Sequence, residues 1–171
     1  MLRSSQLLED AFGRIQEVAH WAVDGLDTAT LRWQIAPDAN PIGWLVWHLT
    51  RIQDDHLSEL AGWDQEWVTG RWAPRFGLDA ATTELGLGHT AAQVRAVRPE
   101  SPQALLGYLD ATVRRTRAFL PTITDPDLDR IIDTSWDPPV TMAVRLVSVV
   151  DDNAQHAGQA AYLRGIHDRG R

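Results

Sequence analysis

Four long segments with helical hydrophobic periodicity constrain the fold of this 171-residue chain more than any other feature. In the first, Leu8, Ala11 and Ile15 recur at three- and four-residue steps, the spacing of one face of an amphipathic helix. No run of alternating residues is long enough to indicate a sheet. The pattern therefore predicts an all-α four-helix bundle formed by one domain over residues 1–171. The predicted helices cover residues 7–22, 41–62, 101–121 and 141–164.

Local signals predict where these helices begin and end. Asn40 is the candidate N-cap of the second helix, with Pro41 at its first helical position. Ser101 precedes Pro102 in the same way at the third helix, and Gly165 is the candidate C-cap of the fourth. The second helix is apolar nearly all round in its first two turns, which predicts that it is central and buried.

The segment between the second and third helices has no helical period over most of its length. It contains Trp63, Trp67 and Trp72 together with Pro74 and Gly77, which indicates a packed, Trp-rich irregular insert. A short helix over residues 91–97 is expected before the third long helix. An aromatic wall around an organic substrate and ordinary core packing are both compatible with the chain's eight Trp residues.

Charge and composition exclude several classes of function. The chain carries 16 basic and 23 acidic residues, a net charge of −7, whereas a nucleic-acid-binding protein needs a basic surface. Its apolar runs fall short of the ~20 residues that span a bilayer, and the N-terminus lacks the apolar core of a signal peptide. We therefore expect a cytoplasmic protein without nucleic-acid or membrane partners. The absence of Cys excludes thiolate ligands and a cysteine nucleophile within the chain.

Three side chains form the candidate metal site. Asp152 and His156 are four residues apart on the fourth helix, so both lie on one face and can reach one ion. His48 lies in an apolar stretch of the second helix, where a buried imidazole needs partners for its ring nitrogens. If these helices face each other, the three residues meet as the ligands of a catalytic-type metal centre. The alternatives are a solvated Asp–His pair and a core histidine.

The remaining polar candidates carry weaker signals. No catalytic side chain is assigned beyond a metal-bound thiolate or water, and His89 is the one weak candidate. It follows Gly86 and Gly88, and is either a residue at the mouth of the bundle or, as we favour, a helix cap after turn-forming glycines. We expect Asp55 to be a solvated carboxylate and His56 to be a surface residue near the site.

Three segments carry a family resemblance: residues 40–56, the triplet Gly88-His89-Thr90 and residues 136–160. Together they resemble the DinB/YfiT-like superfamily of metal-binding four-helix bundles. The similarity covers nearly the whole chain. It is nearest to the branch related to mycothiol-dependent maleylpyruvate isomerase and mycothiol transferases. Many members have His at both positions of the helical pair, whereas this chain has Asp152 at the first, as the isomerase relatives have a carboxylate there.

The resemblance implies an up-down-down-up bundle, often dimeric, with one divalent metal ion per chain held by His48, Asp152 and His156. Zinc is the expected metal, with nickel or iron as alternatives. The implied activity is a metal-dependent transferase that uses a low-molecular-weight thiol such as mycothiol for S-transfer to an electrophile or for isomerisation. Arg51 and Arg145 are the candidates for holding an anionic part of the thiol cosubstrate.

Two other functions compete with thiol transfer at this stage. A metal-dependent hydrolase would use the same ligands without a thiol. A non-catalytic module would bind a small molecule or metal without turnover, with the insert as its interaction surface.

Overall fold

In the computed structural model, residues 3–81 and 83–170 are described. Their helical elements, in chain order, are α1 (Ser4–Val23), α2 (Thr28–Leu31), α3 (Ile42–Ala61), α4 (Glu66–Thr69), a 3-10 turn (Ala73–Phe76), α5 (Ala91–Ala96), α6 (Pro102–Phe119), a 3-10 turn (Leu120–Thr122), α7 (Asp125–Leu128) and α8 (Met142–Arg169). A short antiparallel hairpin of β1 (Ile131–Asp133) and β2 (Val140–Thr141) precedes α8. The protein is therefore all-α in class, as the sequence predicts.

The four long helices form a bundle in which α8 packs against α1 and α3, and α6 packs against the same two helices from the other side. Hydrogen bonds show the directions. His56 on α3 meets Arg145 near the start of α8, whereas Gln53 meets Asn153 further along, so these helices are antiparallel. Because Arg164 reaches the end of α1, α1 and α8 run in the same direction. The α1–α6 pair is antiparallel, which gives the up-down-down-up order.

Helix α3 is the centre of the molecule. Sixteen of its 20 residues are buried, because its apolar side chains face α6 and α8 at the same time. Gly43 allows α2 to pack closely against α3, since a Cβ at this position would lie 2.8 Å from the Leu31 carbonyl oxygen. The prediction of a central buried second helix is confirmed.

A buried polar network ties the insert to α3 and α6. The Asp54 carboxylate accepts hydrogen bonds from the backbone N–H groups of Glu66 and Trp67 at 2.8 and 2.7 Å, and from the Tyr108 hydroxyl at 2.8 Å. The Arg51 guanidinium donates to Tyr108 and lies over the Trp67 ring. This network explains why the Trp-rich segment packs firmly although it has no period of its own.

Two predicted helix boundaries are wrong, and one short element was not predicted. Pro41 is the N-cap of α3 and the helix starts at Ile42, so Asn40 is not the cap and proline does not occupy the first helical position. Helix α8 continues through Gly165 to Arg169, because one helical glycine costs only ~1 kcal/mol and Leu163 beside it is still buried. The hairpin was not predicted, because strands of three and two residues are too short to show an alternating pattern.

Candidate metal centre

His48, Asp152 and His156 meet at the contact between α3 and α8. Each offers one ligand atom, and these three atoms lie within 4.8 Å of one another. The two imidazole rings are 4.7 Å apart between centroids and nearly perpendicular, and Asp152 Oδ1 is 3.6 Å from His156 Nε2. The antiparallel packing of α3 on α8 thus produces the juxtaposition that the sequence predicts for these three residues.

Hydrogen bonds orient both imidazole rings for ligation. His48 Nδ1–H donates to the backbone carbonyl of Leu85, which leaves the Nε2 lone pair available. His156 Nδ1–H donates to Gln159 Oε1 at 3.1 Å, so its Nε2 is the atom beside Asp152. A metal-ligating histidine characteristically uses its second ring nitrogen in this way, because that hydrogen bond fixes the tautomer and the ring orientation.

Asp152 has an unsatisfied acceptor. Its Oδ2 atom is buried and has no hydrogen-bond partner among the described residues. A buried carboxylate oxygen without a donor is costly, because folding removes its water and supplies no replacement. A cation at this place would satisfy it.

Electrostatics favour the neutral form of one imidazole and the charged form of the other. Burial lowers the pKa of His48, so it is neutral at physiological pH and its Nε2 can ligate. The neighbouring Asp152 carboxylate raises the pKa of His156 despite partial burial. A metal ion would take the place of the proton that His156 shares with Asp152.

The donor set fits a divalent transition metal. Two imidazole nitrogens and one carboxylate oxygen are the protein ligands found in many catalytic zinc sites, and the same set suits iron and nickel. No thiolate competes, since the chain has no Cys. The orientation of the rings and the unsatisfied Asp152 oxygen both agree with such an ion.

Aromatic side chains surround the site on the α3 side. The Trp44 ring stacks on His48 at 4.7 Å between centroids and meets His156 edge-on at 6.2 Å. Trp47 is fully buried behind it and stacks on His89. Trp63 packs against Phe119, and Trp67 and Trp72 pack against Tyr108, both residues of α6. An aromatic wall at these ligands would therefore include only part of the chain's Trp residues.

His89 lies beside the candidate ligands rather than capping a helix. Thr90, not His89, is the N-cap of α5, and its side chain accepts from the Gln93 backbone. The His89 ring accepts from Trp44 Nε1 at 3.0 Å and donates to Glu84 at 2.7 Å. The cap interpretation of His89 is therefore wrong.

The two arginine candidates are both engaged within the protein. Arg51 is fully buried and donates to Asp54, Tyr108, Gln65 and the Glu84 carbonyl. Arg145 donates to His56 at 2.9 Å and to Glu59 at 3.0 Å, and it also pairs with Asp133. Neither guanidinium is placed as a vacant anion site.

Asp55 and His56 are half-buried on α3, two turns beyond His48. Asp55 accepts from Gln65 at 2.7 Å, and burial raises the pKa of its carboxyl. It is therefore not the solvated carboxylate that we expected. Burial lowers the pKa of His56, whose Nδ1 accepts from Arg145.

Sequence reasoning missed the residues that hold His48 in place. Leu85 contributes a backbone carbonyl, which no side-chain pattern marks. The one sequence signal was the pair Gly86 and Gly88 just before His89, which indicates backbone that approaches something closely.

Comparisons with known proteins identify a family and a solved structure of similar fold. A family model described as mycothiol-S-transferase matches residues 7–169. A solved structure described as the conserved protein of locus from Enterococcus faecalis is 33% identical, covers 96% of this chain and 96% of that chain, and superposes with a TM-score of 0.88. A search of curated proteins gave no significant match. No helix among the described residues is long and apolar enough to cross a membrane.

Proposed function

The chain belongs to the mycothiol-S-transferase family, and on this premise we propose that it joins mycothiol, through its sulfur, to an electrophile at a metal centre formed by His48, Asp152 and His156. In the transfer, the thiol sulfur forms a bond to an electrophilic carbon of the second substrate. The leaving group departs with the electron pair of the broken bond and ends with the proton that the thiol gave up. Atoms and charge therefore balance without an oxidant or a reductant.

One observation carries the metal-dependent part of this proposal. The Asp152 Oδ2 atom is buried without a donor, and it belongs to a carboxylate whose neighbours are two imidazoles with oriented Nε2 atoms. An ordinary ion pair would leave that oxygen unsatisfied. A cation held by the three side chains accounts for all of these features at once.

The chemistry of the donor set suits a thiol cosubstrate. A bound divalent cation would supply a Lewis acid that lowers the pKa of a thiol and favours the nucleophilic thiolate. His48 and His156 would ligate as neutral groups and Asp152 as an anion, so the site keeps a net positive charge of one unit. That charge favours one thiolate, and the absence of Cys means that no side-chain sulfur competes for the ion.

Zinc is the metal we propose. It accepts mixed nitrogen and oxygen ligands with an open fourth position, has no redox chemistry of its own, and binds thiolates strongly. Nickel and iron suit the same ligands, and metal analysis distinguishes them.

The test combines metal content with thiol consumption. Untagged protein is expected to contain about one zinc ion per chain by elemental mass spectrometry and to consume mycothiol in the presence of an electrophile. His48→Ala, Asp152→Ala and His156→Ala should lose both properties. The matched control is His20→Ala, because His20 pairs with the Asp110 carboxylate at 2.7 Å on other helices. Full activity in all three ligand variants would refute the proposal. So would a loss of activity in His20→Ala while the ligand variants stay active.

A homodimer and a cytoplasmic location remain predictions. Helix α8 presents Val144, Val147 and Tyr162 to solvent within 60° of one another around its axis. Analytical ultracentrifugation of the wild-type protein tests dimerisation.

A further inference from the structure

We propose that residues 84–89, here called the 84–89 loop, position the candidate ligand His48 through a chain of hydrogen bonds that starts and ends on α3. This role rests on the proposed metal centre, because it concerns the orientation of one of its ligands. The loop contributes no ligand atom itself.

The contact that orients His48 comes from the loop backbone. The Leu85 carbonyl accepts the His48 Nδ1–H and so fixes which nitrogen faces Asp152 and His156. Since a carbonyl cannot donate, it holds one tautomer of a neutral imidazole. The position of that carbonyl therefore decides where the Nε2 lone pair points.

Side chains on both sides of Leu85 hold its backbone in place. Glu84 Oε1 accepts from the Gly86 N–H at 3.1 Å, which closes a short turn around Leu85. The same oxygen accepts from His89 Nε2–H at 2.7 Å, so the two ends of the loop are joined. Arg51 Nε adds a bond to the Glu84 carbonyl at 3.1 Å.

The chain closes on the helix that carries His48. Trp44 Nε1–H can only donate, so it fixes His89 Nδ1 as the acceptor and His89 Nε2 as the donor to Glu84. Trp44 precedes His48 by one turn of α3, and their rings stack with an interplanar angle of 11°. The contacts thus form a ring that is attached to α3 at both ends. It runs from Trp44 through His89, Glu84 and Leu85 to His48.

Gly86 packs so closely against α3 that a side chain does not fit there. Its φ is +95°, a conformation that L side chains rarely adopt. A Cβ there would lie 2.9 Å from Trp47, 3.0 Å from Trp44 and 3.0 Å from His48 Nδ1. Any side chain at this position would displace the loop or turn the His48 ring.

Gly88 provides a matched control in the same loop. Its φ is +69°, so alanine is also strained there, but no atom lies within 4 Å of the Cβ that would be added. Gly88→Ala should lower the stability of the loop without moving Leu85. Gly86→Ala should both lower the stability of the loop and move Leu85.

The first experiment measures zinc affinity by competition with a chromophoric chelator. Gly86→Ala should weaken zinc binding tenfold or more, the usual range when an outer contact of a metal ligand is lost. Gly88→Ala should stay within about twofold of the wild type, as it makes no contact with the site. Glu84→Ala should weaken binding like Gly86→Ala, whereas Glu84→Gln should rescue it, because the amide oxygen can still accept from Gly86 and His89.

The second experiment uses metal-free protein. Nitrogen-15 NMR of the histidine rings should show His48 protonated at Nδ1 in the wild type and Gly88→Ala, and mixed tautomers in Gly86→Ala. Zinc affinity that is equal in Gly86→Ala and wild type would refute the positioning role and leave the metal centre intact. A wild type that binds neither zinc nor nickel nor iron would refute the metal centre, and with it this role, whatever the tautomer.

Discussion

Replacing Asp152 by Asn separates a metal ligand from a structural ion pair. In the metal-free protein, the substitution removes the ion pair with His156, which at 3.6 Å and partial exposure contributes at most ~1 kcal/mol. It also replaces a buried, unpaired carboxylate oxygen by a neutral amide, which recovers part of a penalty of about 1–3 kcal/mol. The two effects have opposite signs. We therefore expect the free energy of unfolding of metal-free Asp152→Asn to lie within ~1 kcal/mol of the wild type.

With zinc present, the two proteins should differ clearly. At a free zinc concentration of about 100 times its dissociation constant, ligation stabilises the wild type by ~2.7 kcal/mol. For a chain of this size, that corresponds to a rise in Tm of about 5–10 °C. If the lost ligand weakens affinity about a hundredfold, the same zinc concentration stabilises the variant by only ~0.4 kcal/mol.

The assay is thermal and urea unfolding of both proteins with buffered zinc and with chelator. Asp110→Asn is the matched control, because Asp110 accepts from His20 and Gln16 at 2.7 Å outside the site. It should lose stability equally with and without zinc. A metal-free Asp152→Asn that lost more than about 2 kcal/mol, and that zinc stabilised as much as the wild type, would contradict a ligand role for Asp152.

Two further predictions concern buried polar groups. Tyr108→Phe should lower the free energy of unfolding by ~2 kcal/mol in urea denaturation, because the hydroxyl bonds two charged groups, Asp54 and Arg51, inside the core. The zinc affinity of this variant should not change. An unchanged stability would contradict the role of the buried polar network. The pKa of His56 is lowered in the folded protein, first by burial and then by Arg145. Below the ordinary histidine pKa of 6.5, the unfolded state therefore binds a proton that the folded state does not bind. Stability should therefore fall as pH decreases below 6.5, and His56→Gln should make that decrease less steep between pH 7 and 5; an equal slope in the two proteins would show that His56 does not contribute.

The long helices and the burial of α3 were predictable because they depend on local periodicity. A helix that is apolar around its circumference has to be covered on every side, and α6, α8 and the insert provide that cover. The boundary at Gly165 failed for a related reason. A glycine stops a helix only where tertiary contacts end as well, and Leu163 and Ile166 still lie against the rest of the molecule.

The juxtaposition of His48 with Asp152 and His156 was predictable only in part. The i,i+4 spacing places two of them on one face of α8, but their approach to His48 depends on α3 and α8 being neighbours in the bundle. The resemblance to the superfamily supplied that information, and helical periodicity alone did not.

The surroundings of His48 were less accessible to sequence reasoning. The 84–89 loop acts through the Leu85 carbonyl and through a glycine conformation, and both are properties of the backbone. Arg51 was only a candidate for holding an anionic part of the cosubstrate, without a sequence pattern to support it. Nothing in the sequence indicated that Asp54, Tyr108 and Gln65 would surround it.

Cobalt substitution tests most directly whether a thiol reaches a metal held by His48, Asp152 and His156. Cobalt-loaded protein titrated with mycothiol should develop a sulfur-to-metal charge-transfer absorption that saturates at one thiol per chain. Asp152→Asn and His156→Ala should not develop it, whereas His20→Ala should. Stoichiometric cobalt binding without any such absorption would contradict thiol activation at this site.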